Sequence, residues 1–145
     1  MASLKPETGL VVRYRYRYLW RRQHDAGEET GRKARPACVV IPVGSGEEVV
    51  LLPLTTQQPG ADRGAVQVPE TERRRLKLRG DSPTWIIVDE ANVDRLPQSY
   101  HLEPLSYSPP VFAYGTLSPA VIKVVLAALA RIVRERRLKT VRRAR

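Results

Sequence analysis

The sequence predicts a mainly β protein of the α+β class, a small antiparallel barrel with helical additions. Short apolar runs of strand character recur between turn residues, and a single helical stripe follows them. The length of 145 residues fits one domain, and the chain contains no internal repeat or linker. We therefore expect a single domain over residues 1–137 and a basic, frayed tail over residues 138–145.

The first predicted strand is Val11 to Tyr18, where VVRYRYRY alternates with the two-residue period of a half-buried strand. Its two faces carry different residues, namely Arg13, Arg15 and Arg17 on one and Tyr14, Tyr16 and Tyr18 on the other. Because the tyrosines lie opposite the arginine row, we expect them to belong to the core rather than to stack on bases.

The next two strands form a predicted hairpin. Ala37 to Val43 is apolar throughout, which is typical of a strand buried on both faces. Val49 to Leu54 is the following apolar run, and the turn residues Gly44-Ser45-Gly46 separate the two. This short connection predicts antiparallel pairing.

Smaller elements follow the hairpin. Ala65 to Val68 is a short predicted strand, and Glu70 to Leu78 can form two helical turns that end at Gly80. Trp85 to Asp89 is another apolar strand, whereas Asn92 to Ser108 is expected to be irregular because it contains prolines and little periodicity.

A terminal helix is predicted to begin at Ser118-Pro119, a favourable pair for the N-cap and the first helical position. Its apolar stripe has helical spacing and consists of Val121, Ile122, Val125, Leu129, Ile132 and Val133. The stripe fits either the core or an interface with another chain.

The formal net charge of +10 is concentrated near one end of the chain. Residues 117–145 carry nine Lys or Arg and one Glu, whereas residues 1–116 have a net charge of only +2. The net charge of the whole chain is therefore weaker evidence for nucleic-acid binding than its value of +10 indicates.

The sequence does not favour a zinc site, because it contains a single cysteine, Cys38, and two distant histidines. We find neither a signal peptide nor an apolar run of about 18 residues, so we expect a cytoplasmic protein without membrane contact.

The segment GRKARPACVVI, residues 31–41, carries a basic loop into the second strand through Arg35-Pro36. Pro36 suits the first position of a strand because it lacks an N–H group and fixes φ. Together with the strand that opens at Gly9, VVLLPLTT and WIIVDEAN, this order of motifs resembles the PemK/MazF family from about Gly9 to about Asp94. The resemblance implies a dimeric SH3-like barrel that cleaves single-stranded RNA as the toxin of a toxin–antitoxin pair.

The resemblance also implies roles for individual residues. Arg35 would contact the scissile phosphate, and Thr55 would assist there. Asp89 and Glu29, with Glu28 as the alternative in the same loop, match acidic positions. Cleavage by attack of the 2′-OH requires no metal or cofactor, but it requires a proton acceptor. Arginine is a poor base, so the base stays open among His24, Glu28, Glu29 and Asp89. Alternatively, Thr55 and Asp89 only close turns at strand ends.

On the endoribonuclease interpretation, cations of the first strand and the following loop track the RNA phosphates: Arg13, Arg15, Arg17, Arg32 and Lys33. The basic terminal helix would bind an acidic antitoxin. One position departs from the family, because Ile87 stands where some members have a basic residue. The alternative function is a non-catalytic SH3-like module that binds nucleic acid or an acidic protein.

Overall fold

The computed structural model describes residues 6–17, 37–44, 48–78, 82–96, 101–108 and 110–143. Its strands are β1 (Leu10–Arg13), β2 (Ala37–Pro42), β3 (Glu48–Thr55), β4 (Ala65–Gln67), β5 (Trp85–Ile87), β6 (Glu90–Arg95), β7 (Ser106–Tyr107), β8 (Pro110–Val111), β9 (Ala113–Thr116) and β10 (Lys139–Arg142). Its helices are α1 (Glu70–Arg75) and α2 (Pro119–Arg134).

The main sheet has the strand order β10-β6-β3-β2-β1-β9, and only the β10–β6 pair is parallel. The first half of β3 pairs with β6 and its last two residues pair with β5, which in turn pairs with β4. This mainly antiparallel sheet with a C-terminal helix confirms the α+β class. Within the described residues, the end strands β9 and β10 do not pair with each other, so the sheet is not closed.

The predicted β2–β3 hairpin is confirmed, with Cys38 opposite Pro53 and Pro42 opposite Val49. As its continuous apolar sequence predicts, β2 is buried on both faces. Val39 and Ile41 pack in the core beneath α2, whereas Cys38 and Val40 pack in a second core on the other side of the sheet. The α2 core also contains Leu52, Val125 and Ile132, and the second core contains Tyr14, Tyr16 and Leu96.

The terminal helix begins as predicted, with Ser118 at the N-cap and Pro119 as its first residue, although the Ser118 hydroxyl makes no capping bond. Val121, Val125 and Ile132 are buried against the sheet, so the stripe serves the core. The assignment of Val133 to the stripe is wrong, because its side chain is 52% exposed. Each residue advances about 100° around a helix, which turns Val133 away from the face on which Ile132 lies.

Both helices end on a basic residue in the left-handed conformation rather than on glycine. After α1, Lys77 has φ 56° and Leu78 N–H donates to the Arg73 carbonyl. After α2, Arg136 has φ 56° and Arg137 N–H donates to the Ile132 carbonyl. These bonds are those of the Schellman motif. The prediction that Gly80 ends the first helix is therefore wrong, since α1 stops before Lys77.

Besides smaller shifts at other ends, such as that of β5, three predicted boundaries differ from the structure. The ladder of β1 stops at Arg13, because Tyr14 only bridges Leu102. The chain beyond it is held by a backbone bond from Arg15 N–H to the His101 carbonyl and by side chains. The segment from Asn92 is predicted to be irregular, but its first residues belong to the strand β6. The tail expected to fray contains β10, which pairs in parallel with β6 from Lys139 opposite Glu90. Backbone hydrogen bonds of this pairing fix a segment whose arginine-rich sequence gives no strand pattern.

Candidate functional site

The predicted site residues divide into two groups. One group lies outside the described residues, and it consists of His24, Glu28, Glu29, Arg32, Lys33 and Arg35. The other group is described: Thr55 and Asp89 are both buried, and Arg13, Arg15 and Arg17 line the chain from β1 onward. The contacts and distances of this second group can therefore be compared with the chemical roles predicted for its members.

Thr55 is the last residue of β3, and it lies at the end of the hairpin where β2 begins. Cys38 pairs with Pro53, Ala37 precedes Cys38 by one residue, and Thr55 follows Pro53 by two. Because Arg35 is two residues before Ala37 in sequence, the hairpin brings Thr55 to the end at which the Arg-Pro motif joins β2. Thr55 Oγ1 also accepts a hydrogen bond from Gln57 N–H at 3.0 Å, so this hydroxyl closes the turn after β3.

Asp89 lies in a buried ion-pair network with Arg63. Arg63 Nε donates to Asp89 Oδ2 at 2.9 Å and Arg63 Nη2 to Asp89 Oδ1 at 2.7 Å, while Gly64 N–H donates to Oδ2 at 2.9 Å. Burial raises the pKa of Asp89, but the bonds from Arg63 and Gly64 outweigh it and hold that pKa below its usual value. A carboxylate with a low pKa and two bonded oxygens is a poor proton acceptor. These contacts favour a structural role for Asp89.

The same guanidinium also reaches the next residue along the chain. Arg63 Nη2 donates to Glu90 Oε1 at 2.9 Å, and the Tyr16 hydroxyl donates to Glu90 Oε2 at 3.0 Å. Glu90 is 3% exposed and Tyr16 is completely buried. The network thus joins the loop before β4 to β6 and to the chain beyond β1.

Three alternate residues of β6, namely Glu90, Asn92 and Asp94, contact the segment Tyr14–Arg17, which we call the arm. The Tyr14 hydroxyl donates to Asp94 Oδ2 at 2.6 Å. Burial and this bond to Asp94 raise the pKa of Tyr14 far above its ordinary value, so the phenol stays protonated and acts as a donor. The prediction that the tyrosine face is core is confirmed for Tyr14 and Tyr16, while Tyr18 lies outside the described residues.

Asn92 holds the last described residue of the arm by two hydrogen bonds. Its Oδ1 accepts from Arg17 N–H at 2.7 Å, and its Nδ2 donates to the Arg17 carbonyl at 2.8 Å. The Asn92 side chain is completely buried. Among the described residues, this side-chain amide takes the place of a strand partner for Arg17 and satisfies both of its backbone groups.

Arg143, the residue after β10, also contacts the arm. Its Nη1 donates to the Arg15 carbonyl at 2.6 Å and to Asn92 Oδ1 at 2.9 Å. Its Nη2 lies 2.9 Å from His101 Nδ1, which must accept because guanidinium nitrogens only donate. The Arg143 Cζ lies 5.6 Å from the centre of the Tyr14 ring, in a cation–π contact.

The three predicted RNA-binding arginines of the described chain differ in their surroundings. Arg13 and Arg15 are partly buried and Arg17 is exposed, in alternation with the buried Tyr14 and Tyr16. Arg15 Nε lies 2.7 Å from Glu103 Oε2 in an ion pair, although the group is not aligned for a hydrogen bond. The alternation thus presents the arginines on the side away from the second core.

Sequence reasoning missed the polar side of β6 and its partners. The alternation of Glu90, Asn92 and Asp94 with apolar neighbours is a strand pattern, and it is the signal that could have identified β6. Arg63 and Arg143 lack any comparable local signal, because their acceptors are 26 to 128 residues away in sequence.

The described residues hold no cluster of three or more His, Cys, Asp or Glu placed to bind a metal ion. Among the helices that the structure describes, none is long and apolar enough to cross a membrane. Comparison with protein-family models, with curated proteins and with solved structures gives no match.

Proposed function

We propose that this chain is a sequence-specific endoribonuclease that cleaves single-stranded mRNA and acts as the toxin of a toxin–antitoxin pair. Cleavage proceeds by attack of the ribose 2′-OH on the adjacent phosphate, which leaves a cyclic phosphate and a free 5′-OH. The proposal rests on the motif order that resembles the PemK/MazF family, together with one structural observation about the hairpin.

That observation is the register of the β2–β3 hairpin. It brings Thr55 to the end of the sheet at which β2 begins, two residues after Arg35 in sequence. Thr55, one of the two residues to which the family resemblance gives roles at the phosphate, thus lies at the end of the hairpin that follows the other, Arg35, in sequence. This agreement between the motif and the register supports a shared site.

The chemistry assigns Arg35 to the phosphate. A guanidinium can donate two parallel hydrogen bonds to phosphate oxygens and stabilise the charge that develops in the transition state. Proton transfer from the 2′-OH requires a different group. Because both oxygens of Asp89 are bonded to Arg63 and Gly64, we place the base in the loop before Arg35, with Glu29 as the first candidate.

RNA binding is assigned to the arginine row and to the cations of the following loop, Arg32 and Lys33. The described part of this row lies opposite the buried Tyr14 and Tyr16, so its charge is directed away from the core. A single strand that crosses these residues would be held through its phosphates, and its affinity would fall steeply with salt.

The remaining features of the proposal come from the resemblance. They are a closed SH3-like barrel, a homodimer, a cytoplasmic location and an acidic antitoxin as partner. The cations of α2 and the chain beyond it, such as Lys123 and Arg134, are exposed and complement an acidic antitoxin.

The test is cleavage of a mixed-sequence single-stranded RNA by the purified protein in EDTA, with Arg35→Ala as the inactive variant. Arg134→Ala is the matched control, because it removes the same charge from an exposed helix position that has no proposed role in RNA binding or cleavage. We expect the native protein and the control to cleave and to leave cyclic-phosphate ends. Arg35→Ala should retain its stability and lose cleavage.

A second function, that of a non-catalytic binding module, is favoured by the engagement of Asp89, the one acidic candidate that the structure describes. RNA binding by the native protein without cleavage, weakened smoothly by salt, would establish that function and refute the enzyme. Unfolding of Arg35→Ala would show that Arg35 is structural and would refute its role at the phosphate.

A further inference from the structure

The arm leaves the regular pairing of β1 after the bridge from Tyr14 to Leu102, although Arg15 N–H still donates to the His101 carbonyl at 2.8 Å. Its tyrosines are nevertheless completely buried. Its backbone is held by Asn92 at Arg17, and Arg143 donates to the carbonyl of Arg15. Both of these side chains also bind each other, at 2.9 Å between Arg143 Nη1 and Asn92 Oδ1. One connected pair of side chains thus holds the Arg15 carbonyl and both backbone groups of Arg17, while Arg15 N–H donates to the His101 carbonyl.

We propose that Arg143 and Asn92 are positioning residues for the binding of RNA phosphates by Arg15 and Arg17. This inference rests on the proposed function and adds a role for the end of the chain. Since β10 carries Arg143 to the arm, the segment expected to be a frayed tail becomes a requirement for substrate binding. The guanidinium of Arg143 acts through backbone contacts and does not itself need to reach the substrate.

The neighbouring residue provides a matched control. Arg142 is the last residue of β10 and carries the same charge, but its guanidinium pairs with Glu48 and its side chain is 69% exposed. Arg143 is partly buried and contacts Arg15, Asn92 and His101. Replacement of either residue by alanine removes one positive charge from the same part of the chain. Only the Arg143 substitution removes contacts with the arm.

The expected effect follows from the salt dependence of binding to single strands, in which the slope of log K against log salt changes by about 0.7 for each phosphate contact. Loss of the contacts made by Arg15 and Arg17 lowers the slope by about 1.4. This corresponds to roughly 25-fold weaker binding at 0.1 M salt if the affinity at 1 M salt is unchanged. Arg142→Ala can remove at most one contact with an RNA phosphate, so it should weaken binding by no more than about fivefold.

The test compares the native protein with Arg143→Ala, Arg143→Lys and Arg142→Ala in titrations of a fluorescent single-stranded RNA over a range of salt. The same variants are used for steady-state cleavage. We expect Arg143→Ala to raise KM with little change in kcat, because uniform binding is what it removes. Arg143→Lys should behave like the alanine variant, since one ammonium nitrogen cannot replace the two nitrogens that bridge Arg15, Asn92 and His101.

Asn92→Asp is the second variant, because it keeps an acceptor for Arg17 N–H and for Arg143 but has no donor for the Arg17 carbonyl. It should also raise KM. A purely structural role would instead reduce the folded fraction, which lowers the apparent kcat at constant KM, and that result would overturn the inference. Equal losses for Arg143→Ala and Arg142→Ala would overturn it as well. If the native protein neither binds nor cleaves RNA, the proposed function itself is wrong and this inference falls with it.

Discussion

Replacement of Arg63 by alanine should destabilise the protein strongly, because it leaves two buried carboxylates without their cation. The side chains of Arg63, Asp89 and Glu90 are 13%, 10% and 4% exposed, and the guanidinium donates three hydrogen bonds to the two acids. Breaking such a buried pair by removing one partner costs about 3–5 kcal/mol. Gly64 N–H and the Tyr16 hydroxyl each keep one bond to the acids, so we expect about 3 kcal/mol.

Urea unfolding at pH 7 measures this loss, with Arg131→Ala as the control. Arg131 pairs with Glu135 on the surface, where the two side chains are 74% and 38% exposed, so its loss should cost no more than about 1 kcal/mol. The pKa of Asp89 is lowered in the folded state. Its contribution is therefore complete above the unfolded value of about 3.9 and is lost as the pH falls through the lower folded value. The difference between native protein and Arg63→Ala should narrow as the pH falls toward and below about 4.

A double variant completes the test. Asp89→Asn in the Arg63→Ala background removes one unpaired charge, and it should recover part of the lost stability. A loss for Arg63→Ala of less than about 1 kcal/mol at pH 7, equal to that of Arg131→Ala, would refute the reasoning. It would mean that the acids are solvated and that this network does not anchor β6 to the loop before β4.

Two further comparisons test the packing by urea unfolding. Gly9 and Gly44 both have positive φ, but a Cβ at Gly9 would lie 2.5 Å from Ile122 Cδ1, whereas Gly44 faces open space. Gly44→Ala should cost about 1–2 kcal/mol and Gly9→Ala about 1–3 kcal/mol more, and equal losses would contradict the contact with Ile122. Ile132→Ala should cost about 2–5 kcal/mol, and Val133→Ala no more than about 0.5 kcal/mol. A reversed order would contradict the orientation of α2.

The parts of the fold that could be predicted are those in which local pattern and burial agree. The apolar runs on either side of residues 44–46 predict the β2–β3 hairpin, because both strands lie between two cores and need apolar side chains on both faces. The spacing of Val121, Val125 and Ile132 predicts α2 for a similar reason, since the same face of the helix packs on the sheet along its length.

The parts that could not be predicted depend on pairing between distant residues. Lys139–Arg142 has the composition of a solvated tail, and it becomes a strand only because β6 offers a free edge to pair with. The arm ends the regular ladder after Arg13. Beyond the backbone bond from Arg15 N–H to the His101 carbonyl, its partners include side chains of β6 rather than a neighbouring strand. Residues such as Asn92 and Arg143 acquire their roles from this tertiary context.

Only the placement of some candidate site residues could be predicted from the sequence, and for a physical reason. Thr55 ends an apolar strand whose hairpin partner, β2, begins two residues after Arg35 in sequence, so its place at that end of the hairpin follows from the pattern. Asp89 was selected for its position after β5, but the side chain that engages it, Arg63, comes from another loop. Sequence spacing places an acid at a strand end, whereas the identity of its partner decides whether it can accept a proton.

The most direct test of the proposed function is whether cleavage requires a free ribose 2′-OH on the RNA. A single-stranded RNA and the same strand with 2′-O-methyl groups throughout are incubated with the native protein and with Arg35→Ala in EDTA. We expect the native protein to cleave only the unmodified RNA and to leave a cyclic phosphate and a 5′-OH, and Arg35→Ala to cleave neither strand. Cleavage of the methylated strand, or no cleavage of either strand by the native protein, would contradict the proposed function.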